Sequence, residues 1–301
     1  MQRDIKMTDN TIYQQQLAEE AEAWGSESER MAGVVPPEWR YHRSLRHNVI
    51  VHGEQIDELL KLIRPGMKAL ELGCASGWLT LALAQAGADA TGMDLSEKSL
   101  SVGRAYYESI RPTVSGTVTY APVDMNHLQL PAETYDVIVV KGVLHHLVNL
   151  DQVIREVHRS LKPGGLLWVD DTNRDESLPS VLLAGAFAFV LATPTSYGDK
   201  IRALFKFGFR TPARVQASIE AHGLSPFEGA GREHNWLELI DRQFRVERRV
   251  NLPSFTGYVS AQWIAPDAIA IPVLKAMRTV DRSLVRLKLL RNTGVVLYAR
   301  K

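Results

Sequence analysis

Residues 67–94 read MKALELGCASGWLTLALAQAGADATGMD. Met67 to Leu72 is a short apolar run closing on an acid, Glu71, which suits a buried parallel strand. Gly73, Ala75 and Gly77 follow at alternate positions, and such small residues let the backbone turn sharply and approach a ligand closely. Trp78 to Ala86 carries apolar residues at helical spacing, and Gly87 is a stop signal. Asp89 to Met93 then reads as a second strand, tipped by Asp94, 23 positions after Glu71. The order is strand, small-residue turn, helix, strand, acid. An acid at that second tip is placed to accept hydrogen bonds from ribose hydroxyls.

The stretch Glu71-Leu-Gly73-Cys-Ala75-Ser-Gly77 resembles the first motif of the class I S-adenosylmethionine-dependent methyltransferases, acid-x-Gly-x-Gly-x-Gly, with Ala75 in place of the middle glycine. It differs from the dinucleotide fingerprint G-x-G-x-x-G. A carboxylate at Glu71 would repel a pyrophosphate and attract a sulfonium and an amino group. The resemblance implies a Rossmann-like, doubly wound α/β fold: a mostly parallel seven-stranded sheet with N-terminal helices and a helical lid insert. It implies S-adenosyl-L-methionine as cofactor and S-adenosyl-L-homocysteine as product. Gly73 and Gly77 would make room for the methionine part, with Cys74, Ala75 and Trp78 completing the turn. Asp94 would bind the ribose and Leu95 would pack on the adenine. Asp124 would accept from the exocyclic amine beside Met125, and Lys141 would offer a backbone carbonyl to the methionine amino group. Tyr41 and Trp39 are candidates to contact the cofactor from the N-terminal helices, or to pack between helix and core.

The rest of the chain supports the same architecture. Thr11 to Trp24 is an amphipathic helix with Ile12, Leu17, Ala21 and Trp24 as its apolar positions, punctuated by Gly25-Ser26. Trp39 to Leu62 reads as one or two helices. Ser96 is an N-cap. Thr117 to Val123 and the wholly apolar Tyr135 to Val140 are the third and fourth strands. Leu150 to Leu161 is a helix, Lys162-Pro-Gly-Gly165 a tight connector, and Leu166 to Val169 a fifth strand ending at Asp170-Asp171. Strands and helices in alternation give right-handed βαβ units. Residues 178–192, 199–207, 212–222 and 233–242 read as helices. Phe244 to Leu252 alternates as a sixth strand, Pro266 to Leu290 is helical, and Gly294 to Ala299 is a last strand, antiparallel beside the fifth. The expected units are a cap (1–66), a cofactor-binding core (67–176), a lid over the acceptor (177–243) and a part completing the sheet (244–301).

For the chemistry, an acceptor hydroxyl must be held in line and lose its proton. Histidine, whose ordinary pKa is near neutrality, suits that task. Val143-Leu-His145-His146-Leu147 follows the fourth strand and Asp171 ends the fifth, so neighbouring strand tips bring them together. Small-molecule and sugar O-methyltransferases of the family look similar here. By that match His145 is the general base and Asp171 its orienting partner, with His146 and Asp170 as fallbacks. For an amine or carbon acceptor the pair would only position substrate. A non-catalytic cofactor-binding scaffold would carry the same turn but would not need His145 and Asp171. Nucleic-acid base methylation lacks its Asn/Asp-Pro-Pro-aromatic signature, because Lys141-Gly-Val-Leu stands in that place.

Composition sets the outer bounds. With 45% hydrophobic and 23% charged residues the chain is an ordinary soluble globular protein. One cysteine rules out an internal disulfide, and no Cys/His cluster suggests a metal. No secretory signal is evident and the longest apolar run, 178–194, is broken by Pro179, Ser180 and Gly185, so the cytoplasm is the expected compartment. Charge is uneven: residues 200–301 hold 18 Lys/Arg against 8 Asp/Glu, and the first 199 hold 17 against 26. Solvated helix faces account for this. The apolar, then basic and aromatic lid (Lys200, Arg202, Phe205, Lys206, Phe207, Phe209, Arg210) also suits a greasy or phosphate-bearing small-molecule acceptor, peripheral membrane contact, or homodimer packing.

Overall fold

Five strands made of short apolar runs alternate with helices until residue 172, and their ends define a single rim. The computed structural model describes residues 10–32, 46–173, 177–207, 225–227 and 235–301. Tyr41, Trp39, the helix expected over 212–222, and Phe209 and Arg210 lie outside these. In chain order the elements are α1 (Asn10–Ala32), α2 (Arg46–Val51), α3 (Gly53–Leu62), β1 (Lys68–Leu72), α4 (Trp78–Gln85), β2 (Asp89–Asp94), α5 (Glu97–Ile110), β3 (Thr117–Pro122), β4 (Tyr135–Lys141), α6 (Leu150–Ser160), β5 (Leu161–Thr172), α7 (Leu178–Val190), α8 (Tyr197–Phe207), α9 (Trp236–Gln243), β6 (Arg245–Asn251), α10 (Thr256–Gln262), α11 (Asp267–Arg286) and β7 (Gly294–Arg300).

The seven strands form one sheet in the order β3-β2-β1-β4-β5-β7-β6. The first five pair in parallel, and β7 pairs antiparallel with both β5 and β6, as expected for the last strand. Alternate side chains feed two cores. Leu70, Leu72, Ile138 and Val140 pack with Val153, Ile154 and Val157 of α6 and with α9, whereas Ala69, Val137 and Val139 pack with α3 and α4 on the other face. The chain order reverses between β1 and β4, so the crevice for a ligand opens above the carboxyl ends of those two strands.

The elements differ from expectation in four instructive places. α1 runs through Gly25-Ser26 instead of stopping. A Cβ at Gly25 would lie 2.7 Å from Lys98 Cβ and 2.8 Å from Ser96 Oγ, so this glycine is a contact point with α5 and not a break. Ser96 Oγ and Ser99 Oγ donate to the Ala21 and Trp24 carbonyls at 2.6 and 3.1 Å and fasten the two helices along that seam. The buried residue near the start of α1 is Tyr13, whereas Ile12 is 56% exposed. The Lys162–Gly165 connector lies inside β5: Tyr135 pairs with Leu161 but Val137 with Leu166, and the extra residues loop out around Gly164 at φ +73. Finally, α10 was not expected, because TGYVSAQ lacks a helical stripe. It is held at its start by Asp281 of α11, a fully buried acid that accepts from the N–H groups of Ser254, Phe255 and Thr256 at 2.8–2.9 Å and from Thr256 Oγ1 at 2.7 Å.

Within the expected lid, Leu183, Ala184 and Phe187 of α7 pack on the cluster that holds α10 and α11, with Phe187 stacked on Phe255. Val190 and Phe205 remain 70% and 87% exposed. Among the described residues no helix is long and apolar enough to cross a membrane.

Candidate active site

The turn after β1 builds the floor of the site. Gly73 and Gly77 adopt φ +71 and +73, and the intervening Ala75 is also left-handed at φ +46. Glycine takes that region freely, and alanine takes it at a cost. A Cβ at Gly73 would come within 2.1 Å of Val143 Cγ2, and one at Gly77 within 2.2 Å of Tyr120 Oη. Gly73 therefore lets the β1 turn close on the loop after β4. Gly77 starts α4 against the Tyr120 ring, so its work is packing under the turn.

Above this floor is a cavity of about 260 Å³ at the strand-order reversal. Ten of the expected cofactor residues line it: Glu71, Gly73, Cys74, Ala75, Trp78, Asp94, Leu95, Asp124, Met125 and Lys141. Gly77 does not. The wall also includes residues for which the sequence suggested no such place, Glu20 of α1, Asn48 of α2, Asn126, Gly142 and Phe227, together with Ser96, Val143, His146, Leu147 and the apolar stripe Leu17, Ala21 and Trp24 of α1. The apolar stripe of α1 was legible as a helix face, but only the fold shows that the face closes over a cavity.

Asp94 is oriented by its neighbours. Its Oδ2 accepts from Ala75 N at 2.7 Å and its Oδ1 from Ser96 N at 2.9 Å. Each oxygen keeps a further acceptor position, enough for a vicinal pair of hydroxyls. Burial raises its pKa, opposed by the backbone N–H groups of Ser96, Ala75 and Leu95. Glu71, 3% exposed, accepts from Thr80 Oγ1. Burial pushes its carboxyl up to about 8, the Thr80 bonds pull it back, and Asp94 adds to the rise. Cys74 is also buried, and burial first, then Glu71 and Asp94, raises its thiol well above the usual range, so it is a small wall residue and not a nucleophile.

Asp124 is engaged differently from expectation. Its two oxygens accept from Tyr13 Oη at 2.9 and 3.1 Å, from Asn126 N at 3.0 Å and from His127 Nδ1 at 2.7 Å. Its acceptor positions are filled, and it fastens α1 to the loop after β3. Burial, followed by this carboxylate, raises the Tyr13 phenol well above its ordinary value.

On the far side of the cavity the expected His–Asp pair is formed. His145 Nδ1 lies 2.6 Å from Asp171 Oδ1. Asp171 also accepts from Val143 N and Leu144 N at 3.0 and 2.7 Å, and from Thr172 N at 2.7 Å. Surrounded by donors, Asp171 acts as an acceptor only, so His145 Nδ1 carries the proton and Nε2 is the basic nitrogen. The cavity wall itself is formed by the fallback, His146, whose ring centroid is 4.0 Å from that of His145 and 6.4 Å from that of Trp24.

This geometry fits a donor with a ribose and a cationic amino-acid part: free acceptor positions at Asp94 and a buried acid at Glu71, either side of a small-residue turn.

The methyltransferase domain model matches residues 70–169. The chain is 32% identical over 192 residues to a ubiquinone biosynthesis O-methyltransferase of Bordetella avium, spanning 62% of this chain and 73% of that protein. It is 27% identical over 173 residues to the mitochondrial ubiquinone biosynthesis O-methyltransferase of Rattus norvegicus, spanning 56% of this chain and about half (48%) of that one. Among solved structures, the cyclopropane synthase MmaA2 of Mycobacterium tuberculosis superposes with a TM-score of 0.50 at 16% identity, over 82% of this chain and 83% of that one. That likeness concerns the fold.

Proposed function

This chain belongs to the class I S-adenosylmethionine-dependent methyltransferases, and from that premise we propose that it methylates a hydroxyl of a small, largely apolar molecule, with His145 as general base and Asp171 as its orienting partner. The observation that carries the reading is the 2.6 Å contact between His145 Nδ1 and Asp171 Oδ1, one residue from the cavity wall. The bound donor supplies a methyl on a positively charged sulfur, so that as the new O–C bond forms the S–C bond breaks and a neutral thioether leaves. His145 Nε2 takes the hydroxyl proton. Asp171 fixes the ring's tautomer and faces the imidazolium that results. Asp94 holds the ribose, Gly73 and Ala75 leave room for the methionine part, and Leu95 packs on the base. Leu17, Trp24, Val143, Leu147 and Phe227 give the acceptor an apolar enclosure that excludes water. In this reading the segment 177–243 supplies the lid, with Phe227 its described contribution to the wall. The names of the relatives, O-methyltransferases of ubiquinone biosynthesis, support oxygen as the methylated atom.

The test is methyl transfer from labelled S-adenosylmethionine to catechol, a primary alcohol and aniline. Label on an oxygen is the expected product. Label only on nitrogen would leave His145 as a positioning group, and cofactor binding without transfer to any acceptor would make the protein a scaffold.

Glu71 makes cofactor binding a proton-linked event. Its folded value of about 8 lies above the ordinary 4.5, so the folded protein holds this proton more tightly than the unfolded chain. Stability from this group is therefore complete below about 4.5 and falls as pH rises toward 8. At pH 7 the ligand-free carboxyl is mostly protonated, and a cationic ligand alongside favours the carboxylate. Binding of S-adenosylmethionine at pH 7 should release up to about one proton. Calorimetry in Tris and in phosphate reads this as different heats, and the difference should vanish in Glu71→Gln.

A further inference from the structure

Asp94, Glu71 and Lys141 stand on three adjacent strands, β2, β1 and β4, and on one face of the sheet. Glu71 is in register with Gly92 and with Val139, and Asp94 and Lys141 each lie two residues further on. All three line the cavity. Lys141 is itself in register with Asp170 of β5, so the next residue, Asp171, projects to the opposite face, where it meets His145. In sheet order the donor side of the cavity therefore presents an acid, a second acid and an ammonium.

Among the described residues of the wall the acids are Glu20, Glu71, Asp94 and Asp124, and Lys141 is the one lysine or arginine. Its side chain is 16% exposed, and Nζ lies 3.5 Å from Asp170 Oδ2. That oxygen is shared with His52, whose Nδ1 approaches it to 2.6 Å, and it receives no aligned hydrogen bond among the described residues. Burial works to raise Asp170, but His52 and Lys141 outweigh it and hold the carboxyl at about 2, so near neutrality it is ionised. Asp170 is 2% exposed and is not part of the wall. It is a charge contact at the back of the ammonium, and Nζ keeps N–H donors for a second anion on the cavity side.

S-adenosylmethionine carries a sulfonium, an ammonium and a carboxylate. The acids of the wall suit the first two. The carboxylate, taken out of water among those acids, is costly to bury unless a cation meets it. Among the described residues Lys141 is that cation, on the same face as Glu71 and one strand away. We infer that the Lys141 ammonium holds the carboxylate of the donor, so that the site selects ligands with an intact amino-acid end over their decarboxylated forms. Lys141 then sets donor specificity through its side chain, beyond any contact from its backbone carbonyl. The inference holds whichever atom of the acceptor is methylated.

Calorimetry with two ligands that differ in this one group tests it: S-adenosylhomocysteine, and S-adenosyl-3-thiopropylamine, which has hydrogen in place of the carboxylate. The wild-type protein should bind S-adenosylhomocysteine at least about tenfold more tightly, the size of one charge-assisted hydrogen bond. Lys141→Met should lose at least about tenfold on S-adenosylhomocysteine and stay within about twofold on the decarboxylated ligand, so that the preference disappears. Lys141→Gln, which keeps a polar end without the charge, should lose most of the preference too. The decarboxylated ligand reports an intact pocket, which separates lost recognition from lost folding. A wild type that binds both ligands equally, or a preference kept in both variants, would overturn the inference and leave methyl transfer standing. Equal weakening of both ligands in variants with the wild-type far-UV spectrum would overturn it in favour of a role in shaping the pocket. A wild type that binds neither ligand would remove the donor site itself, and this inference with it.

Discussion

His145→Ala should lower kcat for methylation of catechol by at least about a hundredfold while S-adenosylmethionine binds with unchanged affinity. The split follows from placement. His145 is one residue from the cavity wall and makes none of the hydrogen bonds that orient Asp94 and Glu71, so its loss should leave those acids in place. What is lost is a ring whose Nδ1–H is held by a carboxylate that is itself fixed by the Val143, Leu144 and Thr172 N–H groups. His146→Ala provides the contrast. That ring forms the wall beside Trp24, so its removal should raise KM for the acceptor more than it lowers kcat. Equal kcat in His145→Ala and wild type would move the proton acceptor elsewhere. Steady-state kinetics on the two variants, with calorimetric Kd for the donor, decides the matter.

Asp94→Ala should weaken S-adenosylmethionine by at least about a hundredfold and abolish its thermal stabilisation of the protein. Two losses add. The ribose loses a charged acceptor for two hydroxyls, worth about 1.5–3 kcal/mol each. The Ala75 and Ser96 N–H groups also lose their partner, so the turn is held to β2 only through the Gly73 and Cys74 N–H groups on the Met93 carbonyl. Asp94→Asn separates the two. Its amide oxygen can still accept one N–H, so the turn is partly held, while the charge is gone, and an intermediate affinity is expected. Full retention of binding in Asp94→Ala would show that the ribose is held from elsewhere, for example from Glu20 of α1 across the cavity.

Much of this site was legible because its parts are local in sequence or lie at strand tips. The β1 turn, Asp94, and the pairing of His145 with Asp171 follow from short motifs on a parallel sheet whose strands all end on one side. Local patterns do not say what a residue faces after the chain has folded back. Gly25 has the form of a helix stop and is a contact point with α5. Asp124 has the form of a ligand acceptor and is occupied by Tyr13 from a helix 111 residues away. Lys141 was expected to act through its backbone, and the placement of its ammonium beside Asp170 and His52 depends on α2 and α3 packing over β5.

The sequence by itself determined the α/β class, the strand succession and the small-residue turn with its two strand-tip acids, because hydrophobic period, small-residue spacing and acids at strand ends act within a few residues of one another. Only the tertiary structure decided that α1 roofs the cavity, that α10 starts on the buried Asp281, and that Asp170 meets Lys141 and His52 while Asp171 meets His145. Those outcomes depend on contacts between segments far apart in the chain, where burial and hydrogen-bond satisfaction override local preference.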